Sequence, residues 1–554
     1  MIGVIAPSSQ HEDVLEFFEL FKTRWEFFSP TGYYEVLLCS GKSPINVPIG
    51  VKLVVVYSAS LLVSDVDGIK STPPDDCNGR LYRCCKSCIP IYGESVTFTA
   101  TKSSELQQID EKRTLIKLRT WNDSIYARIG YDLFGELHKL LAEGQPAIRA
   151  AIPTAELHIA LFRQLVLYSG AGLIEIPPIP DSYAFTACLT HDIDQPSLRM
   201  HKFDHTMLGF LCRALVVTSI DVLRGRRSIH ELWQNWRSAL SLPFVHLGWI
   251  SDPWLRFDQY FAIEGNARST FYVIPQKGNP GQCNGKVAPK MRAAPYAVTD
   301  IADPLRTLAS NGCEIALHGI DAWWDEKLAR EEIHVLGDLA TNYPIGVRMH
   351  WLYFDKHTFE ILEKVGIDYD STMGYNETVG FRSGTMQVYS PAGVHRLMEL
   401  PLHIMDTALF MASHLNLSAN EARKHVDALL DLVNCFGGVI TINWHDRSIS
   451  PERLWKVYYT NLLDELRRRK AWLTSAANVV AWFRSRRSAQ FEHIYWEEQG
   501  VRLRINATTA DYLPGLVLHI YMRRKSIIDF AEAASIEPIR LSLQTNKEMR
   551  YSLS

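Results

Sequence analysis

Two rhythms of apolar and polar positions alternate along most of this 554-residue chain. Between about residues 183 and 488, short apolar runs of strand length are separated by stretches with helical apolar spacing. The strands predicted by this pattern are residues 185–190, 270–274, 313–317, 346–349, 398–402, 438–443 and 471–474. Helices fall between them. Ser418-Ala419-Asn420-Glu421 reads as a capping box that opens an apolar-periodic helix, which stops at Gly437-Gly438. Ser450-Pro451-Glu452 reads as another helix start, with proline in the first turn. Such alternation predicts an α/β fold built on a parallel βα barrel, complete or incomplete, rather than a sandwich. Residues 195–255 break the rhythm. They hold several helix-like stretches and the basic run Arg224-Gly225-Arg226-Arg227, and they read as a helical insertion near the site.

The flanks read differently. Residues 1–180 are expected to form a separate α/β domain, with a strand at 51–57, helical spacing over 129–141, and a linker at Pro177-Pro178-Ile179-Pro180. Residues 181–488 form the barrel domain on this reading. Residues 489–554 are expected to be a small β-rich appendage. There Val501-Arg502-Leu503-Arg504-Ile505 alternates strictly, and a second strand at 516–521 follows a turn at Leu513-Pro514-Gly515. Cys77, Cys84, Cys85 and Cys88 cluster in the first unit. Cys85-x-x-Cys88 has zinc-knuckle spacing, but no second pair answers it, and a turn with incidental thiols is the better reading.

Bulk properties narrow the partners. A formal net charge of -3 gives no electrostatic case for nucleic acid. No apolar run reads as long enough to span a bilayer. The start, Met1-Ile2-Gly3-Val4-Ile5-Ala6-Pro7, has no basic leader and breaks early, unlike a signal peptide. Cys188, Cys313 and Cys435 lie inside apolar runs, where cysteines are expected to act as small core hydrophobes in a reducing compartment. The expected location is the cytoplasm.

Chemistry concentrates at the strand ends. Thr190-His191-Asp192-Ile193-Asp194 places two carboxylates just after a buried apolar run. Buried carboxylates are costly unless a metal or substrate uses them. In parallel α/β folds the carboxyl ends of the strands are where sites are built. The strand near Ile315 ends in His318-Gly319, that near Val347 in Arg348-Met349-His350, and that near Ile440 in Trp444-His445-Asp446-Arg447. A lone histidine after a strand is more often a hydrogen-bonded structural residue than a ligand. Four polar strand ends in register are harder to dismiss. Carboxylate plus imidazole suits zinc or another divalent transition metal.

The order of these motifs resembles the NodB-type polysaccharide deacetylases, and more closely their divergent branch with a THDVD-like first motif. Thr270-Phe271-Tyr272-Val273 resembles that family's second strand. Tyr369-Asp370-Ser371-Thr372-Met373-Gly374-Tyr375 and Gly380-Phe381-Arg382-Ser383-Gly384 resemble its central loop. The resemblance covers roughly residues 183–491. It implies that Asp192 is the catalytic base, Arg348 the arginine that orients it, and His445 the general acid. A carboxylate such as Asp446 or Asp370 would then hold His445. It implies Asp194 as the metal-binding carboxylate, through a local backbone adjustment because Ile193 stands at the usual position. His318 matches the first metal histidine. The second family histidine lies four residues on, where this chain has Ala322. His350 is the candidate replacement and Asp321 a poorer one. Asp406 follows a strand and either faces the cleft or caps the next helix. Trp323-Trp324 reads as a packing pair outside the site.

The expected function is metal-dependent removal of an N-acetyl group from an amino sugar in a polysaccharide or glycan precursor, with zinc as the cation. No nucleic acid and no membrane span are expected. The alternatives are a non-catalytic carbohydrate-binding or scaffold protein on the same fold, and a hydrolase of a non-sugar C–N bond.

Overall fold

A computed structural model describes the chain except residues 43–46, 64, 66–68, 76–77, 85–86, 100–106, 109–112, 122–123, 226, 284, 340–344, 451, 454, 499, 525–529 and 553–554. Its centre is a curled sheet of parallel strands. In chain order these are Phe185–Ile193, Thr270–Val273, Glu314–Gly319, Gly346–Met349, Tyr369–Asp370, Met398–Glu399, Ile404–Met405 and Val439–Asn443. The first strand is central. It pairs with the second on one side and with Val439–Asn443 on the other, and the sheet runs outward to end strands at Met398–Glu399 and Ile404–Met405. Every pairing along this path is parallel. The result is an incomplete α/β barrel. A ninth strand, Ala471–Thr474, pairs in parallel with the start of the first strand.

Strand propensity and core demand explain these elements. All nine residues of Phe185–Ile193 are buried, as expected for a strand covered on both faces. Phe185, Ala187, Leu189 and Ile193 join one apolar cluster with Phe271, Leu317, Val347 and Ile442. The strand extends three residues beyond the expected 185–190, so Asp192 lies inside it rather than after it. The expected strand 398–402 divides instead into Met398–Glu399 and Ile404–Met405. Pro401 lies between them and has no N–H to give a ladder. The capping box at Ser418 and Glu421 opens helix Ala419–Phe436. The helix expected from Ser450 begins only at Lys456; residues 446–450 form tight turns first, with Ser450 N–H bonded to the Arg447 carbonyl, and Pro451 lies outside the described residues.

Residues 2–129 contain a six-stranded, mostly parallel sheet whose central strands are Ile2–Ile5, Val36–Ser40 and Leu53–Tyr57. Helices His11–Phe21, Leu133–Ala142 and Thr154–Tyr168 share its apolar cluster. The helical spacing expected from residue 129 starts at Leu133, because Ile129 ends a strand. Leu173–Glu175 pairs with Val517–Tyr521, and Gln490–Glu497 pairs with Gly500–Asn506. Of the cysteine cluster, Cys77 and Cys85 lie outside the described residues, and with Cys85 the Cys85-x-x-Cys88 pair. Cys188 and Cys313 are buried as expected, but Cys435 is exposed on the outer face of its helix.

Between the first and second barrel strands lie helices His205–Leu211, Thr218–Leu223, Ile229–His246 and Asp258–Glu264. Contrary to expectation, one continuous helical run here, His205–Leu223, is long and apolar enough by length and composition to cross a bilayer.

Candidate active site

Register brings the strand-end residues to one level. Thr190 lies opposite Asn443, and His318 lies opposite Arg348. Side chains alternate along a strand, so Asp192 and the residue two further on face the cavity while Ile193 enters the apolar core. The chain bends at Asp194. Alternation and this bend supply the adjustment expected of Asp194.

Asp192 is held on both oxygens. Arg348 Nη1 donates to Oδ1 at 2.9 Å and Asn443 Nδ2 donates to Oδ2 at 2.7 Å. Burial pushes its pKa up, but the charge of Arg348 leads the opposing influences that hold it below the usual carboxylate value. Arg348 is wholly buried, donates also to Thr190 Oγ1 and to Ser371 Oγ and carbonyl, and lies 4.3 Å over the Tyr272 ring. This rigid fork matches a fixed carboxylate in a way a lysine would not. Asn443 was not anticipated. It ends a predicted strand, yet an asparagine there reads equally as a turn residue.

Asp194, His318 and His350 converge. His318 Nε2 lies 3.3 Å from Asp194 Oδ1, His350 Nδ1 lies 3.4 Å from the same oxygen, and the two ring nitrogens are 3.0 Å apart. Bonds of 2.0–2.1 Å to a tetrahedral zinc would place neighbouring ligand atoms about 3.3 Å apart, so the spacing fits. His318 Nδ1 faces the Arg348 carbonyl at 2.9 Å. That contact places the proton on Nδ1 and leaves the Nε2 lone pair for the cavity, the form a metal needs. Burial lowers the His350 pKa against the pull of Asp194 and keeps that ring neutral. Asp194 Oδ1 is buried between the rings without a well-formed hydrogen bond. Among the described residues this is the one group of three such side chains whose donor atoms all lie within 4.8 Å of one another. The donor set therefore fits a divalent cation. Ala322 is buried in the core. Asp321 is engaged elsewhere, accepting from the Gln282 N–H and Trp324 Nε1.

His445 stands across the same cavity, its Nε2 3.9 Å from Asp194 Oδ2. The expected holders, Asp446 and Asp370, do not touch its ring. Asp406 does, at 2.6 Å from Nδ1, and it also accepts the His445 backbone N–H at 2.8 Å. Burial works against the imidazolium, but Asp406 outweighs it and raises the His445 pKa to about 9. Asp370 instead lies behind Arg348, beside Glu399, and burial pushes it up to about 6. Asp446 accepts the Gln195 N–H, and burial with the nearby Asp194 charge raises it to about 7.

Asp192, Asp194, His318, His350, His445 and Asp446 line one cavity of about 650 Å³, together with Arg213, Trp351, Tyr353 and Arg447. Arg292 was also missed, because Lys290-Met291-Arg292 reads as surface. It is fully buried and donates to the carbonyls of Ile320 and His350, tying together the strand ends that carry the two histidines. His191 takes no part; it is locked between the Trp444 carbonyl and Glu264. The Gly380–Gly384 loop serves packing, since Arg382 donates to the Gly374 carbonyl and Phe381 N–H to the Ala150 carbonyl.

No family model matches the chain, and no curated protein matches it. Solved structures do. One is assigned as a polysaccharide deacetylase from Mycobacterium smegmatis, with 19% identity over 56% of this chain and 95% of that one, at a TM-score of 0.34. Another is assigned as a polysaccharide deacetylase from Pseudomonas aeruginosa PAO1, with 15% identity over 57% and 95% and a TM-score of 0.34. A third is the PuuE allantoinase, with 14% identity over 55% and 92% and a TM-score of 0.35. The chain resembles these proteins in fold.

Proposed function

We propose that this chain is a metal-dependent amide hydrolase that removes the N-acetyl group of an amino sugar in a glycan or glycan precursor. One observation carries the reading. A carboxylate clamped by arginine and asparagine, a three-donor metal triad, and an aspartate-held histidine face each other across one cavity. A base, a cation site and an acid in that arrangement are what hydrolysis of an unactivated amide requires.

Asp194, His318 and His350 would hold the cation, and the mixed carboxylate–imidazole set favours zinc. A bound cation would act as a Lewis acid, lowering the pKa of water and polarising the amide carbonyl. Asp192 is charged near neutral pH and takes the proton of the attacking water. Arg348 and Asn443 fix its orientation, so no side-chain reorganisation is needed at that step. His445, protonated at neutral pH through Asp406, gives a proton from Nε2 to the departing sugar amine. The buried wall of Arg348, Tyr272 and Ser371 keeps bulk water away from the back of Asp192.

The test is acetate release by zinc-loaded protein from a panel of N-acetylated amino sugars, free and oligomeric, beside cyclic non-sugar amides. The expected result is acetate from at least one sugar, lost on chelation, restored by zinc, and reduced by about 10³-fold or more in Asp192→Asn. Turnover confined to non-sugar amides supports the third class of function. No turnover at full zinc occupancy supports a binding protein.

A further inference from the structure

The helices between the first and second barrel strands carry an outward face that the rest of the fold leaves uncovered. His205–Leu211 runs through Cys212–Val217 into Thr218–Leu223, turns at Arg224-Gly225, and returns as Ile229–His246. The two arms pack on each other. Met207, Phe210, Ala214, Ala239 and Leu242 form one cluster with Trp254, and Asn235 Nδ2 donates to Thr218 Oγ1 at 2.8 Å. The inward need of both arms is met there.

The returning helix nevertheless has a second apolar face. Ile229, Trp233, Trp236, Leu240, Phe244 and Leu247 recur at helical spacing and are all exposed; Ile229 is 77% exposed and Leu240 69%. At 100° per residue they form one narrow stripe, well away from the buried Asn235, Ala239, Leu242 and Val245. The outgoing arm adds Leu208, Val216, Ile220 and Leu223, the last 87% exposed, and Trp249 follows the return at 73%. A helix packed on a globular core needs one apolar face. A second one, rich in tryptophan, needs another partner.

Charge selects that partner. Lys202 and Arg224, at the two ends of the outgoing arm, and Arg237, on the returning helix, are exposed. Residues 199–250 carry more Lys and Arg than Asp and Glu, in a chain whose net charge is -3. A tryptophan-rich apolar stripe with exposed cations on the same hairpin matches the interfacial layer of an anionic bilayer. The arms do not suit a crossing. His205, Thr206 and Arg213 on the outgoing arm line the catalytic cavity, so that arm stays against the barrel. We propose that this helical hairpin docks the chain on the surface of an anionic lipid bilayer, with the cavity mouth beside the surface. The proposal rests on the hairpin and not on the reaction assigned to the cavity.

Vesicle flotation of the full chain tests it, with phosphatidylcholine vesicles made with and without phosphatidylglycerol. The expected result is flotation with the anionic vesicles and much less with the neutral ones. Combined Trp233→Ser, Leu240→Ser and Trp249→Ser should lower the partition coefficient at least about a hundredfold, with an unchanged circular dichroism spectrum. Arg224→Glu with Arg237→Glu should weaken binding to anionic vesicles by roughly tenfold or more and provides a second test at exposed positions. Wild-type protein that stays in the soluble fraction with both vesicles overturns the proposal. So does a wild-type dimer that the serine variant turns into a monomer, which would place a second copy on the stripe.

Discussion

Buried Asp406 grips His445 twice, at the ring Nδ1 and at the backbone N–H. Replacing it with asparagine keeps the shape and removes the charge that holds the imidazolium. Asp406→Asn is expected to lower kcat by about 10²–10⁴ with little change in KM. Amides whose leaving amine needs no proton should be affected far less. Steady-state kinetics on both kinds of substrate check this, and an equal loss on both would show Asp406 to be merely structural. The residue also shows where sequence reasoning runs out. Asp192, Asp194, His318 and Arg348 were legible because each sits at the end of an apolar run, where strand alternation fixes the direction of the side chain. Asp406 opens a helix, where a carboxylate is explained by capping alone, and its partner lies 39 residues away. Asn443 and Arg292 were hidden for the same reason, since their partners come from distant parts of the chain. His350 was legible only by elimination of Ala322. Just past it Trp351 and Leu352 both adopt positive φ, and no local pattern announces that turn.

At the level of elements, Gly438 controls the strand that delivers Asn443 and His445. Its φ is +109°, and an added Cβ would lie 2.4 Å from the Met386 carbonyl oxygen. Backbone, not a flexible side chain, stands in the way. Gly438→Ala should therefore cost roughly 2–4 kcal/mol and lower turnover as the strand shifts. Gly225→Ala, at positive φ but facing open space, should cost only about 1 kcal/mol. Urea unfolding of the two variants side by side checks the contrast, and equal losses would contradict it. Most barrel strands were legible because a buried parallel strand is a short apolar run with clear borders. Their ends were less so. The first strand runs on through Ile193 because His191 and Asp192 find buried partners that the linear sequence does not display.

For the whole molecule, burial of neutral histidine sets a limit in acid. His158 is fully buried in the helix Thr154–Tyr168, beside Tyr131, and desolvation lowers its pKa to about 3. The folded value lies below the unfolded one near 6.5. The fold therefore has the full benefit of this neutral ring above about pH 6.5, and loses it as pH falls toward 3 while the unfolded chain takes up a proton. The effect is on the order of several kcal/mol at the acid end. His158→Gln, which cannot titrate, should flatten the fall in Tm between neutral pH and pH 4. An unchanged slope would remove His158 from the account of acid lability. At this scale the alternation of strand and helix made the barrel legible. The outward tryptophan stripe was not, because apolar spacing alone cannot say which face of a helix the fold covers. The central claim remains the cation site facing Asp192 and His445, and metal stoichiometry tests it most directly. Protein dialysed against zinc and then against buffer is expected to retain about one ion per chain by elemental analysis. Asp194→Asn, His318→Ala and His350→Ala should each fall to a small fraction of that while staying folded. Full zinc occupancy in all three variants, or none in the wild type, would contradict the account.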